Sequence, residues 1–443
     1  TRRGPWFQRL AILPILAHVG LLLVWNLGQN LGVTLALVAL GFWGVLRAER
    51  RWQSLVPGGS WWPVLAVAVI LRIVLVPLPP SLSGDVERYI WDGRVLRAGQ
   101  NPYLLAPEAE ELTDLRDPLW DRLHHRQVAT VYPPLAEGVF AIVAGLPEPV
   151  RALKALLVLA DLATCALLCW LARHRSLPVE RTLWYAWNPL VAVEIAGMGH
   201  VDGLGVALVV LATMVLARAP RRAGGAAVAA AGGILTKLVP VLAIPVWARQ
   251  SRRPLAFVSL SLTISVVALL PVVISAGDVP PGLVEYGVSW EFNGPLFEPL
   301  WRWLDRVDLR ESVEVQITRL RETSADPDFW NRLYRYNYPQ LWAKILLAPA
   351  LLAALIWSWR TSDTITALRR VFGSVLVFSA TVYPWYALWV LPWAALHRQR
   401  AWLGLSALLF LSYIPQFWET PLVPWIQVLI WLPFLFLMGL ELR

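Results

Sequence analysis

Long apolar runs joined by short polar links set the plan of this chain. The runs fall at about 10–27, 30–46, 61–79, 153–172, 183–198, 203–218, 254–275, 341–359, 401–417 and 421–441. A helix needs about 20 apolar residues to cross a bilayer, fewer when it is short or broken. Two further apolar regions, Ala226–Trp247 and Val371–Leu396, are interrupted by "TKLVP" and "YPWY" and are read as hairpins of short helices. A shorter run at 131–147 is read as re-entrant. The pattern predicts an all-α polytopic membrane protein with about 14 membrane segments, some short or broken, and two long polar loops at 80–130 and 276–340.

Composition agrees with that plan and adds little to it. Hydrophobic residues make up 57% of 443 positions and charged residues 16%, which leaves too much apolar surface for a water-soluble globule. Cys165 and Cys169 share one helix face inside an apolar run and read as small packing residues. The first apolar segment lacks a small-residue cleavage site and is expected to be a retained helix.

Charge supplies the orientation. The net charge of +9 comes from dispersed clusters and forms no continuous basic stripe, so no nucleic-acid partner is expected. Seven clusters (Arg2/Arg3/Arg9, Arg47/Arg50/Arg51, Arg173/Arg175/Arg181, Arg218/Arg221/Arg222, Arg249/Arg252/Arg253, Arg360/Arg369/Arg370 and Arg398/Arg400) all fall on the cytoplasmic side if the two broken regions are hairpins and 131–147 does not cross. Both chain ends are then inside, and both long loops, each richer in acids than bases, face outward. The expected parts are an N-terminal helical pair (1–60), a catalytic core (61–275) holding the first outward loop, the second outward loop (276–340) and a C-terminal bundle (341–443).

The residues able to do chemistry collect on the outward side. In "SGDVERYIWDGRVLRAGQNPY", Asp85 stands just past a span, and Asp85, Tyr89, Asp92 and Leu96 share a helical face, with Arg88 and Asp92 an i,i+4 pair. An N-cap role would also explain Asp85. Lys237 is one of only three lysines; inside an apolar region an ammonium costs roughly 2.5–3.5 kcal/mol unless it finds a partner or water. It either snorkels to the interface or holds an anionic ligand. "EIAGMGHVDG" carries Glu194, His200 and Asp202 among glycines; no second His or Cys stands at zinc spacing, so sugar-hydroxyl recognition or helix packing is the expected role. Aromatic segments around Trp290 and Asn293 and around Tyr383, Trp385 and Tyr386 suit a membrane interface and equally suit carbohydrate.

Glycosyl transfer from a lipid-linked phosphate sugar fits this set. Phosphate is already a good leaving group, so one carboxylate base and a cation suffice, whereas a glycosidase needs two carboxylates across the bond.

The ordered series "SGDVERYIWDGRVLRAGQNPY", "VYPPLAEGVF", "WNPLVAVEIAGMGHVDGLGVAL", "LTKLVPVLAIP", "YGVSWEFNGPLF" and "YPWYALWVLPW" resembles the GT-C class of integral-membrane glycosyltransferases. It is most similar to bacterial polyprenyl-phosphate-mannose-dependent mannosyltransferases and to the catalytic subunit of glycosylphosphatidylinositol mannosyltransferase I. The resemblance implies an inverting transferase that moves a hexose, mannose by this likeness, from a polyprenyl-phosphate sugar to a lipid or glycan acceptor. It acts outside the cytoplasm, at a bacterial plasma membrane. Asp85 and Glu87 match the family's acidic motif and are the expected catalytic pair. Lys237 matches its K-x-x-P lysine and is expected at the donor phosphate. Arg88, Tyr89, Asp92, Asn101, Tyr103, His200, Asp202, Trp290, Asn293, Tyr383, Trp385 and Tyr386 are the expected substrate-binding set. No resident cofactor or metal ligand set is called for; a divalent cation, Mg or Mn, stays open, and a monomer among membrane lipids is expected. The competing reading is a multi-pass transporter or lipid flippase, whose broken helices meet near the midplane and come with internal repeats; no repeat is found. A non-catalytic assembly subunit would leave Lys237 without a purpose.

Overall fold

A computed structural model describes residues 6–56, 59–324, 326–334 and 337–441; Arg2 and Arg3 of the first basic cluster lie outside them. The described residues form helices with no strand, and the all-α membrane architecture holds. Five helices are long and apolar enough to cross a membrane: Leu31–Leu55, Pro149–His174, Pro254–Ala276, Pro339–Arg360 and Val423–Glu441. A sixth span arises if Pro189–Gly197 and Asp202–Arg218, bent by 119° at their junction, count as one. Ile12–Val24, Trp62–Leu75, Pro134–Ala144 and Ala223–Thr236 are shorter apolar helices.

Breaks occur where backbone chemistry demands them. Helix Ala223–Thr236 stops at Lys237, whose backbone is extended, and a tight turn at Val239–Ala243 leads into Ile244–Gln250. The "YPWY" region likewise turns through Pro384–Trp389 between Thr364–Phe378 and Leu391–His397. The run 401–417, expected as one helix, is three pieces: Arg400–Leu408, a tight turn at Leu409–Tyr413, and Ile414–Phe417. Pro415 has no N–H to give Leu411 and sits in the first turn of the last piece, where that loss costs least. The run 183–198 is also broken, because the Asn188 side chain accepts from Leu190 N at 2.9 Å and restarts the helix at Pro189.

Small residues let the central helices approach closely. Ala223–Thr236, made of Ala and Gly over most of its length, packs between Asp202–Arg218 and Pro254–Ala276. Close packing of this kind replaces the hydrophobic drive that lipid does not supply. Gly93 performs the same service for the first loop: a side chain there would run into the Phe140 backbone, so only glycine lets helix Asp85–Arg97 lie against Pro134–Ala144.

The chain's charged ends are sorted by this packing. Asp202 opens a helix that finishes at Arg218, and Arg221 and Arg222 precede the helix that ends at Lys237. Helix Leu31–Leu55 begins near Ser81, whose hydroxyl accepts from Leu27 N at 2.9 Å, and carries Arg47, Arg50 and Arg51 toward its other end. Trp389 stands before Leu391–His397, and Arg398 closes it. Each of these helices therefore has one end at the residues of interest and the other end basic.

Candidate active site

The 80–130 loop, the Lys237 break, the 276–340 loop and the "YPWY" turn meet around a cavity of about 570 Å³. Its wall includes Asp85, Glu87, Arg88, Lys237, Trp290, Tyr383, Trp385 and Tyr386. These are eight of the residues picked out by sequence, drawn from four separate segments.

Asp85 is the first residue of helix Asp85–Arg97, preceded by Gly84, and no side chain caps that helix. The N-cap account of Asp85 is thus displaced by one position: its carboxylate is not spent on the backbone. It still lies at the positive end of the helix dipole, which favours the anion. Its Oδ2 accepts from the Tyr89 hydroxyl at 3.4 Å, and the Tyr132 hydroxyl is 3.4 Å from that of Tyr89. Glu87 is tied to Arg122 at 2.8 Å, which fixes the loop over the acidic end of the helix.

Arg88 bonds Asp92 at 2.8 Å and reaches the carbonyl of Val128 at 2.8 Å. Asp92 is buried behind it, near Glu137 and Thr130, and does not face the cavity. Burial pushes its carboxyl up, against the pull of Arg88. Asp92 is better described as the anchor that aims Arg88 than as a group for substrate.

Lys237 has found the partner that an ammonium in an apolar region requires. Its Nζ lies 2.7 Å from Asp202 Oδ1 and 4.3 Å from the centroid of the Tyr386 ring. Asp202 is buried and also accepts from Trp389 Nε1 at 2.6 Å. An ammonium has three donors; Asp202 takes one and the ring face attracts the charge, while Lys237 itself remains on the cavity wall.

The aromatic side of the cavity is a stack. Tyr383 and Trp385 lie parallel, 4.5 Å apart, and Phe292 stacks on Tyr383 at 4.7 Å. Tyr386 and Tyr286 share a hydroxyl contact of 2.5 Å. The backbone brings these segments together, because Val382 N donates to Phe292 O at 2.7 Å and Phe292 N to Ala380 O at 3.0 Å.

Other expected residues stand off the wall. His200 is fully buried under Trp385, ring centroids 3.9 Å apart. Asn101 reaches back to Ser275 at 3.0 Å and accepts from Tyr103 N at 2.9 Å. The Tyr103 hydroxyl is buried. Asn293 is buried and accepts from Trp431 Nε1 at 2.9 Å, joining the second loop to the last helix.

Sequence reading passed over several wall residues: Ser83, His124, His125, Tyr132, Tyr286 and Gln416. His124 and His125 hold two of only six histidines, side by side in the first loop, and that pairing was the available signal. His125 packs against Trp290 at 4.6 Å; burial and the neighbouring His124 push its pKa down, against the pull of Asp85. Among the described residues no group of three or more His, Cys, Asp or Glu could hold a metal ion.

Comparison with known proteins gives the family of the chain. The family described as "Alpha-(1->6)-mannopyranosyltransferase, N-terminal domain" matches residues 7–251, and glycosyltransferase family 87 matches residues 130–384. The chain is 27% identical over 346 residues to alpha-(1->6)-mannopyranosyltransferase A of Mycobacterium tuberculosis (strain ATCC 25618 / H37Rv), an alignment covering 74% of this chain and 64% of that protein. The chain therefore spans a little under two thirds of that relative's length. No solved structure matches it. The matches bear out the resemblance to GT-C mannosyltransferases: the chain belongs to glycosyltransferase family 87 and to the family of the alpha-(1->6)-mannopyranosyltransferase N-terminal domain.

Proposed function

We propose that this protein is an inverting mannosyltransferase that takes its sugar from a polyprenyl-phosphate donor and works on the extracytoplasmic face of a bacterial plasma membrane. The observation that carries this reading is the convergence of Asp85 and Lys237 on one cavity beside an aromatic stack. Asp85 acts as the base: it removes the proton of an acceptor hydroxyl as that oxygen attacks the anomeric carbon. The bond from that carbon to the phosphate oxygen breaks, and the lipid phosphate leaves with the electron pair. Lys237 and Arg88 meet the phosphate charge as it develops. The stacked Tyr383 and Trp385 present ring edges to the cavity as an apolar border for a sugar, and Trp290, packed on His125, lines it as well. Glu87, bound to Arg122, holds the loop in place.

Orientation rests on the same distribution. The helices that end at the cavity begin or finish in arginine clusters at their far ends, so the positive-inside rule favours an outward cavity. The donor class is tested by reconstituting the protein in vesicles with polyprenyl-phosphate mannose or with a mannose nucleotide and measuring sugar transfer to a lipid acceptor. Transfer from the lipid donor alone is expected; transfer from the nucleotide with no lipid donor present would overturn this reading.

A further inference from the structure

The turn that links the two halves of the bent helix pair holds a group whose burial is not explained by sugar binding. His200 is completely buried, and so is Glu194, the acid placed beside it. His200 Nδ1 lies 3.1 Å from Glu194 Oε2 and 3.1 Å from the Glu194 backbone carbonyl. The backbone carbonyl accepts, which puts a proton on Nδ1, while Oε2 beside it has no hydrogen-bond partner among the described residues. Glu194 is itself aimed by the Tyr413 hydroxyl, which donates to Oε1 at 2.9 Å. The other ring nitrogen, Nε2, faces Ser83 Oγ at 3.1 Å and Asp85 Oδ2 at 3.9 Å. Ser83 Oγ in turn accepts from the Asp85 backbone N–H at 3.2 Å.

The local backbone is shaped for this contact. A π-helical turn at Val193–Gly197 leads to Gly199 at φ +81, a conformation in which a side chain would be strained. That geometry turns the chain back so that His200 meets the start of helix Asp85–Arg97. Trp385 lies flat on the imidazole, with its plane 16° from the ring, and keeps both water and sugar from it.

We propose that Glu194 and His200 form a positioning dyad for Asp85. The Glu194 backbone carbonyl takes the Nδ1 proton and its carboxylate lies beside it, so that Nε2 is presented to Ser83 and to the Asp85 carboxylate. The dyad fixes the start of the Asp85 helix through Ser83 and so holds the Asp85 carboxylate in place. His200 acts through Asp85 and never touches the sugar. The groups that bear on its charge are Glu194, Asp85 and Asp202. The proposal rests on the reading of Asp85 as the base.

The test is steady-state transfer with polyprenyl-phosphate mannose, using His200→Gln, Glu194→Gln and Asp85→Asn, with each variant's fold checked by thermal unfolding. His200→Gln should lower kcat roughly 10-fold or more, less than the 10²–10⁴ expected for loss of the base itself. KM for the donor should change by under about twofold, because the dyad acts through Asp85 and touches no donor atom. Glu194→Gln should act in the same direction, and it decides the matter if His200→Gln fails to fold. On an Asp85→Asn background, His200→Gln should have no further effect on rate. An effect confined to KM, or additive losses in the double variant, would overturn the dyad. Full activity of Asp85→Asn alone would instead overturn the base reading on which it stands.

Discussion

Lys237 Nζ and Asp202 Oδ1 are 2.7 Å apart, and the carboxylate is buried while the lysine remains on the cavity wall. The pair separates what holds the fold from what meets the ligand. Removing one member of a buried ion pair typically costs 3–5 kcal/mol, because the other charge is left alone.

Lys237→Met should therefore lower both thermal stability and donor binding. Adding Asp202→Asn should restore much of the stability, since no charge is then stranded, while donor binding stays weak. Unfolding temperature and a lipid-phosphate binding assay read the two effects separately. A Lys237→Met/Asp202→Asn double variant that binds donor as tightly as the parent would remove Lys237 from the phosphate site.

Asp85→Asn should leave the protein folded and able to bind donor, yet reduce turnover by roughly 10²–10⁴-fold. The change keeps the size and polarity of the side chain, and its cost to the helix start is limited to roughly 0.3–1 kcal/mol of dipole interaction. Normal transfer by the folded variant would shift attention to Glu87.

Topology can be mapped with the native cysteines in place. Cys165 and Cys169 are buried, so an impermeant thiol reagent should ignore the parent protein. A cysteine at His124 should label from outside intact cells, and one at Arg221 only after the membrane is opened. Labelling at His124 from the cytoplasmic side alone would invert the map and the mechanism with it.

The first loop carries its own acid-sensitive tie. Arg94 and Asp117 are 2.6 Å apart, and although burial opposes it, the Arg94 hydrogen bond and charge, with the N–H groups of Trp120 and Leu119, hold Asp117 below its usual carboxylate range. A depressed carboxylate stabilises the fold above its unfolded value, about 3.9, and that contribution is lost as pH falls through the folded value. Because the pair is partly exposed, it is worth under about 1 kcal/mol. Proteolysis of the loop should rise at acid pH in the parent, and Asp117→Asn should show the faster cleavage already at neutral pH.

Much of this arrangement was legible before any coordinates. Apolar run lengths marked the five long apolar helices, and the Lys237 and Pro384 interruptions stood out because each breaks an otherwise lipid-compatible stretch. Those two breaks and the Asp85 loop do meet at the cavity. What one dimension does not carry is direction. Asp92 and Asp85 share a helix face, but Arg88 draws Asp92 away from the cavity. His200 looked like a sugar ligand until the 119° bend placed it beneath Trp385. The breaks at 183–198 and 401–417 were hidden for a different reason: a proline or an asparagine cap inside an apolar run leaves hydropathy almost unchanged, although it removes or redirects a hydrogen bond of the ladder.

Helix Asp202–Arg218 has 17 residues, about 25 Å at 1.5 Å per residue, and separates the Lys237 partner from a basic end. That fixed distance works as a ruler. In the proposed orientation, with the arginines at the inner headgroups, the cavity would meet the outer phosphates best in a bilayer of matching thickness. In thicker membranes it would sink below the plane where a lipid-linked donor presents its phosphate, at a cost of fractions of a kcal/mol per ångström of mismatch. Acyl-chain length of the surrounding lipid would thus set the reaction rate without touching a single residue of the site.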